Sequence, residues 1–178
     1  MSVAKRETSE TSIRVELRAG SGTTKTETGN RFLDHMLNAF ARYSGLTLDV
    51  TARSDLTHHL VEDVALTLGR AFREIIPSGA ARYGNRVVPM DEALVQVSVD
   101  IGGRTYYEGP LPSRLYDHWM RSFSNEARAT LHILVLRGND RHHIVEAAFK
   151  ALGLALRDAL VDTGETFSTK GSISLRVD

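Results

Sequence analysis

The sequence predicts an α+β protein made of two ββαβα halves, each placing helices on one face of a sheet. Three observations carry this. A histidine phrase occurs twice, as His58-His59-Leu60-Val61-Glu62 and His142-His143-Ile144-Val145-Glu146. Ahead of each copy stands another matched phrase, Asp34-His35-Met36-Leu37 and Asp117-His118-Trp119-Met120. At an offset of 84, residues 58–76 and 142–160 share eight identities in nineteen pairs, so the second half repeats the first.

The elements follow in order. Ile13, Val15 and Leu17 alternate as in a half-buried strand, and Val95, Val97 and Val99 do the same in the second copy. The glycines at 20–22 and 102–103 read as turns into second strands near 23–29 and 104–109. Helices are expected over 32–43, stopped by Gly45, and over 114–127. Leu46-Leu48-Val50 and Leu131-Ile133-Val135 supply another strand each. Val61, Ala65, Leu68 and Phe72 recur at helical spacing, as do Val145, Phe149, Leu152 and Leu156. Each long helix therefore opens on its His-His pair. Pro77, Ser78 and Gly79 end the first, and Gly164 lies beyond the second. A closing strand is expected at 173–177. The halves are 1–86 and 87–178, joined without a linker because 85–89 is short, and together they form one compact unit.

Composition narrows the function. Apolar residues make up 42% and charged residues 25%, as in a globular protein with a sizeable core. Lys+Arg and Asp+Glu balance at 22 each, so no basic field marks a nucleic-acid or anionic-membrane partner. The absence of cysteine excludes disulfides and thiolate metal sites. The polar first eleven residues show no secretory signal, and no apolar run is long enough to span a bilayer. A cytoplasmic protein is expected.

Histidine is the commonest metal ligand, and six of the seven histidines fall in duplicated positions. Residues four apart share a helix face, whereas neighbours diverge by about 100°. His58 can thus grip an ion with Glu62, and His142 with Glu146, while His59 and His143 serve a different ion. His35 and His118 are the natural completions, giving two similar sites of three histidines and one glutamate. Such a set suits Mn, Fe, Co, Ni or Zn. Asp34 and Asp117 are either orienters of the neighbouring histidines or helix caps. His132, mid-strand and unduplicated, reads as structural or as support behind a ligand. Ser168-Thr169-Lys170-Gly171 suits a phosphate, and Arg82 and Arg104 stand beside turns where they could clamp one. Glu10, in residues 6–11, reads on its own as part of a frayed terminus. A hydroxide bridging two ions would equally serve a metallohydrolase, and ions could instead staple subunits together.

Taken together, these residues resemble the imidazoleglycerol-phosphate dehydratase family. The likeness runs through Glu10-Thr11, Phe32-Leu33-Asp34-His35-Met36-Leu37, His58-His59 with Glu62-Asp63, Arg82-Tyr83-Gly84 and Val88-Pro89-Met90-Asp91-Glu92-Ala93-Leu94. It continues through Gly103-Arg104, His118, Asn139, His142-His143-Ile144, Glu146-Ala147, Phe149-Lys150-Ala151 and Ser168-Thr169-Lys170-Gly171. The loop 54–57 is shorter than the family's, and Leu60 replaces a threonine. The resemblance implies a ribosomal protein S5 domain 2-like duplication, two Mn2+ per active site, and a homo-oligomer of 24 subunits with active sites between them. One ion would take His35, His59, His142 and Glu146; the other would take His58, Glu62, His118 and His143. Glu10, Arg82, Arg104, Ser168 and Lys170 would meet the substrate, with His35 and Thr169 beside them. The reaction implied is loss of water from D-erythro-imidazole glycerol phosphate to give imidazole acetol phosphate, in histidine biosynthesis. Its expected course is an imidazolate held between the ions that expels the hydroxyl as a diazafulvene-like species, with Glu10 as the acid/base candidate.

Overall fold

A computed structural model describes residues 1–165. The first half runs β1 (Ser2–Glu7), β2 (Thr11–Ala19), β3 (Lys25–Glu27), α1 (Arg31–Ser44), β4 (Leu46–Ser54) and α2 (Thr57–Arg73). The second repeats that order as β5 (Tyr83–Met90), β6 (Ala93–Asp100), β7 (Tyr106–Glu108), α3 (Arg114–Ala127), β8 (Thr130–Arg137) and α4 (Arg141–Ala159). The duplicated α+β architecture is as expected. The strands form two separate sheets, ordered β1-β2-β4-β3 and β5-β6-β8-β7. Among the described residues, only the short third strand of each pairs in parallel with its neighbour.

Each half carries one strand more than the alternation pattern shows. The expected frayed terminus is instead β1, paired with β2 from Ser2↔Leu17 to Glu7↔Ser12. An edge strand needs little apolar content, and Lys5 and Arg6 suit an edge because charge there discourages stray pairing. Residues 85–89, expected as a short connection, lie inside β5, whose outward Asn85, Arg86 and Pro89 mask its alternation. The expected boundary between residues 86 and 87 therefore falls within a strand of the second sheet. The closing strand at 173–177 lies outside the described residues.

Inward residues of the central strands, including Ile13, Val15, Leu17, Val95, Val97 and Val99, are buried under helices, while their neighbours face outward. Helices α1 and α2 lie on the first sheet and α4 on the second, and α2 packs on α3 as α1 packs on α4. Helices from different halves thus meet at mid-molecule. Phe40, Phe72, Trp119, Phe123 and Phe149 join all four helices there, with Trp119 and Phe149 centroids 4.5 Å apart and Phe40 and Phe123 5.7 Å apart. Each fully buried aromatic contributes roughly 1.5–3 kcal/mol by leaving water.

Two glycines permit these crossings. A Cβ on Gly69 of α2 would lie 2.6 Å from the Phe123 carbonyl oxygen, and one on Gly153 of α4 would lie 2.9 Å from the Ser44 amide nitrogen. They are the same position in the two copies.

Candidate metal centres

The helix crossings bring the duplicated histidines together. At the first centre, His35 from α1 meets His142 and Glu146 from α4. At the second, His118 from α3 meets His58 and Glu62 from α2. Each centre therefore draws one helix from each half. The four-residue spacing works as the sequence predicts: His142 Nε2 is 3.1 Å and His58 Nε2 3.6 Å from the glutamate of its own helix. The partner helix adds His35 Nε2 at 3.2 Å from Glu146 and His118 Nε2 at 3.2 Å from Glu62.

This donor set fits a divalent cation. His118 Nε2 is buried and close to Glu62 but makes no hydrogen bond to it. A buried ring nitrogen facing a carboxylate off the hydrogen-bonding direction has the arrangement a cation between them would use. Glu146 is only 6% exposed, and burial alone would raise its pKa. The Lys150 ammonium at 2.8 Å and the His35 ring more than offset burial, so the carboxyl is held below its ordinary value and stays ionised.

His59 and His143 do not join either centre within the chain. His59 Nδ1 lies 2.9 Å from Asp55 and 3.5 Å from Glu10. His143 Nδ1 lies 2.6 Å from Glu92, and its Nε2 lies 3.4 Å from Asp91. The divergence of neighbouring helix residues is the cause.

The family model of imidazoleglycerol-phosphate dehydratase matches residues 28–156, which hold both centres. The chain belongs to the imidazoleglycerol-phosphate dehydratase family. An imidazoleglycerol-phosphate dehydratase of Pyrobaculum aerophilum is 47% identical, the match covering 93% of this chain and 96% of the relative. That of Chlorobaculum tepidum is 43% identical over 94% and 95%. Among solved structures, the Pyrococcus furiosus member in complex with (S)-C348 superposes with a TM-score of 0.86 at 43% identity, covering 95% of this chain and 99% of that one. The Staphylococcus aureus imidazoleglycerol-phosphate dehydratase superposes with a TM-score of 0.80 at 34% identity over 90% and 99%.

The remaining residues of the imidazoleglycerol-phosphate dehydratase pattern fall as follows. Glu10 sits at the β1–β2 turn, where Thr8 Oγ1 accepts from the Glu10 and Thr11 amides at 3.1 and 2.9 Å. The Thr11 hydroxyl and Arg6 both donate to Asp63 of α2, so the turn is tied to the helix carrying His58 and Glu62. Arg82, at positive φ, pairs with Asp100 at 3.0 Å. The turn bearing Arg104 is its neighbour, since a Cβ on Gly103 would lie 3.2 Å from Arg82 Nη2. Ser168, Thr169 and Lys170 lie outside the described residues.

Asp34 and Asp117 tie down loops. Asp34 accepts from the Thr28 amide and hydroxyl at 3.1 and 2.8 Å, and Asp117 accepts from Tyr107 Oη and the Leu111 amide at 2.6 and 2.9 Å. The N-cap of α1 is Asn30. Strand alternation turns His132 to the exposed face of β8, its ring 5.4 Å from that of Tyr106 and on neither candidate centre. The sequence reading gave no role to Asp55, Glu92 or Lys150. Asp55 carried one signal, its four-residue spacing from His59.

The Glu92–His143 contact sets a pH dependence. Amide donation from Asp140 and the hydrogen bond to His143 bring the Glu92 carboxyl down from 4.5 to about 2, and Glu92 in turn raises His143 above 6.5. A depressed carboxyl stabilises above its unfolded value and loses that effect as pH falls through the folded one. A raised histidine stabilises below its unfolded value and loses that effect as pH climbs through the folded one. Denaturation midpoints of metal-stripped parent and Glu92→Gln should therefore differ most between pH 4.5 and 6.5. The gap should narrow toward about pH 2 and again above the raised histidine value. A gap that stays constant across that range would contradict the ion pair.

Proposed function

We propose that this chain converts D-erythro-imidazole glycerol phosphate to imidazole acetol phosphate and water, a step of histidine biosynthesis. The observation that carries the reading is the pair of His-His-Glu centres, each assembled from one helix of each half. We assign two Mn2+ per active site to them. His35, His142 and Glu146 would hold one ion and His58, Glu62 and His118 the other. His59 and His143 point away from the centres of their own chain, which supports a self-assembled oligomer, 24 subunits by family resemblance. In it, His59 of one copy completes the first centre of a neighbour and His143 completes the second.

When bound, the ions would supply positive charge to hold the substrate's azole ring and balance the electrons that build on it. The other work belongs to side chains. The hydroxyl leaves the carbon attached to the ring, a proton leaves the adjacent carbon, and the resulting enol becomes the ketone. Glu10 is assigned the proton transfer, because its turn is braced by Thr8, Thr11 and Asp63 next to the second centre's helix. Arg82 and Arg104 on adjoining segments, with Ser168, Thr169 and Lys170, are assigned the phosphate. Remote binding energy would then orient the reacting carbons.

The test is direct. Metal-stripped protein given Mn2+ and imidazole glycerol phosphate should form the ketone, and chelation should stop it. Hydrolysis of a phosphate ester with no ketone would replace this reading with that of a metallohydrolase.

A further inference from the structure

His59 and His143 occupy the same position in the two copies, and each has a carboxylate on its Nδ1. The carboxylates do not come from the same position. Asp55 approaches His59 from the segment leading into α2, while Glu92 approaches His143 from the β5–β6 turn. At the repeat offset of 84, Asn139 stands where Asp55 would be copied. The residue just ahead of β2 that matches Glu92, just ahead of β6, is Glu10, whose carboxylate lies farther from His59, at 3.5 Å. The two halves reach one contact by different routes.

Both carboxylates are held in place. Glu92 divides its oxygens between two tasks: Oε1 accepts from the Asn139 and Asp140 amides at 3.3 and 2.9 Å, and Oε2 faces His143 Nδ1 at 2.6 Å. It thereby fixes the start of α4 and the ring of its third residue together. Asp55 Oδ1 accepts from the Leu56 amide at 2.7 Å and faces His59 Nδ1 at 2.9 Å. The Asp55 amide donates to the Glu10 carbonyl at 3.2 Å. Asp55 is nearer to His59 Nδ1, at 2.9 Å, than the Glu10 carboxylate, at 3.5 Å.

An ionised carboxylate only accepts, so the nitrogen hydrogen-bonded to it carries the proton, and in the neutral ring the opposite nitrogen keeps its lone pair. Asp91, 3.4 Å from His143 Nε2, makes the longer contact and no hydrogen bond. We propose that Asp55 and Glu92 are the positioning carboxylates of His59 and His143, fixing Nδ1–H and presenting Nε2 as the donor to a divalent ion. This rests on the reading of both histidines as ligands in the assembled enzyme. Neither carboxylate touches the ion. Each acts through its histidine.

The test is Mn2+ titration of the full-length, metal-stripped protein, with free Mn2+ read from its paramagnetic resonance signal. Glu92→Gln has one oxygen for two tasks. With that oxygen on the α4 amides, its NH2 faces His143, moves the ring proton to Nε2 and blocks ligation. Asp55→Ala removes the acceptor outright. Each change should weaken Mn2+ binding about 10–100-fold, the usual effect of losing such a partner. Asp140→Ala is the structural control. It deletes the α4 cap that accepts from the His142 amide at 2.7 Å but leaves the Glu92–His143 contact. It should lower the melting temperature without a comparable loss of affinity.

Equal weakening by Asp140→Ala and Glu92→Gln would mean that fraying of α4 is responsible and would overturn the proposal. So would parental affinity in Glu92→Gln and Asp55→Ala when His143→Ala and His59→Ala bind weakly; the ligand assignment would then survive alone. Parental affinity in the two histidine variants would instead sink the ligand assignment and this proposal with it.

Discussion

Glu146→Gln is expected to abolish Mn2+ binding at the first centre and to reduce turnover on the order of a thousandfold, since a bound metal supplies several kcal/mol of charge stabilisation. Added Mn2+ should not restore it. Glu146 is the buried member of its centre and meets His35, His142 and Lys150 at 3.2, 3.1 and 2.8 Å. Gln keeps an acceptor for Lys150 but loses the charge that offsets a cation. Glu146→Ala should add a second effect. The Lys150 side chain is 16% exposed, so removing its partner strands a mostly buried ammonium, at a cost of about 3 kcal/mol. Denaturant midpoints and Mn2+ titrations on both variants separate these effects. Normal Mn2+ stoichiometry in Glu146→Gln would remove that residue from the centre.

Gly69→Ala and Gly153→Ala form the second large prediction, and its sign is informative. On an exposed helix, Gly→Ala stabilises by about 1 kcal/mol. Here the new Cβ would lie 2.6 Å from the Phe123 carbonyl oxygen or 2.9 Å from the Ser44 amide nitrogen. These neighbours are backbone atoms, so a whole helix must move. Overpacking of this kind costs about 1–3 kcal/mol. The centres should respond selectively. Gly69→Ala parts α2 from α3 and should weaken the centre of His58, Glu62 and His118. Gly153→Ala parts α4 from α1 and should weaken that of His35, His142 and Glu146. Thermal melts and Mn2+ titrations check this. Stabilisation in either variant would show that the crossing has slack.

Histidine and glutamate four apart on a helix share a face in any tertiary setting, so the pairs His58–Glu62 and His142–Glu146 were readable in advance. The central strands were readable too, because Ile13-Val15-Leu17 and Val95-Val97-Val99 alternate over one buried face. The strands β1 and β5 were not. An edge strand or a charged outer face leaves no alternation to detect, and only pairing with β2 and β6 defines them. Nor were Asp55 and Glu92 visible as equivalents, because Asn139 stands at the copied position of Asp55 and Glu92 reaches His143 from a turn in a different strand pair.

By itself the sequence determined the duplication, the helical pairing of ligands within each copy, and the family to which the chain belongs. The first rests on the repeat of phrases along the chain, the second on helix geometry that turns a four-residue spacing into a shared face, and the third on the motifs that resemble the family's. Tertiary structure alone decided that α1 packs on α4 and α2 on α3, which brings His35 to His142 and Glu146, and His118 to His58 and Glu62. Those outcomes depend on which buried faces pack together around Phe40, Trp119 and Phe123, and on how closely Gly69 and Gly153 let the helices approach. Such contacts join residues far apart in the chain, where no local period records them.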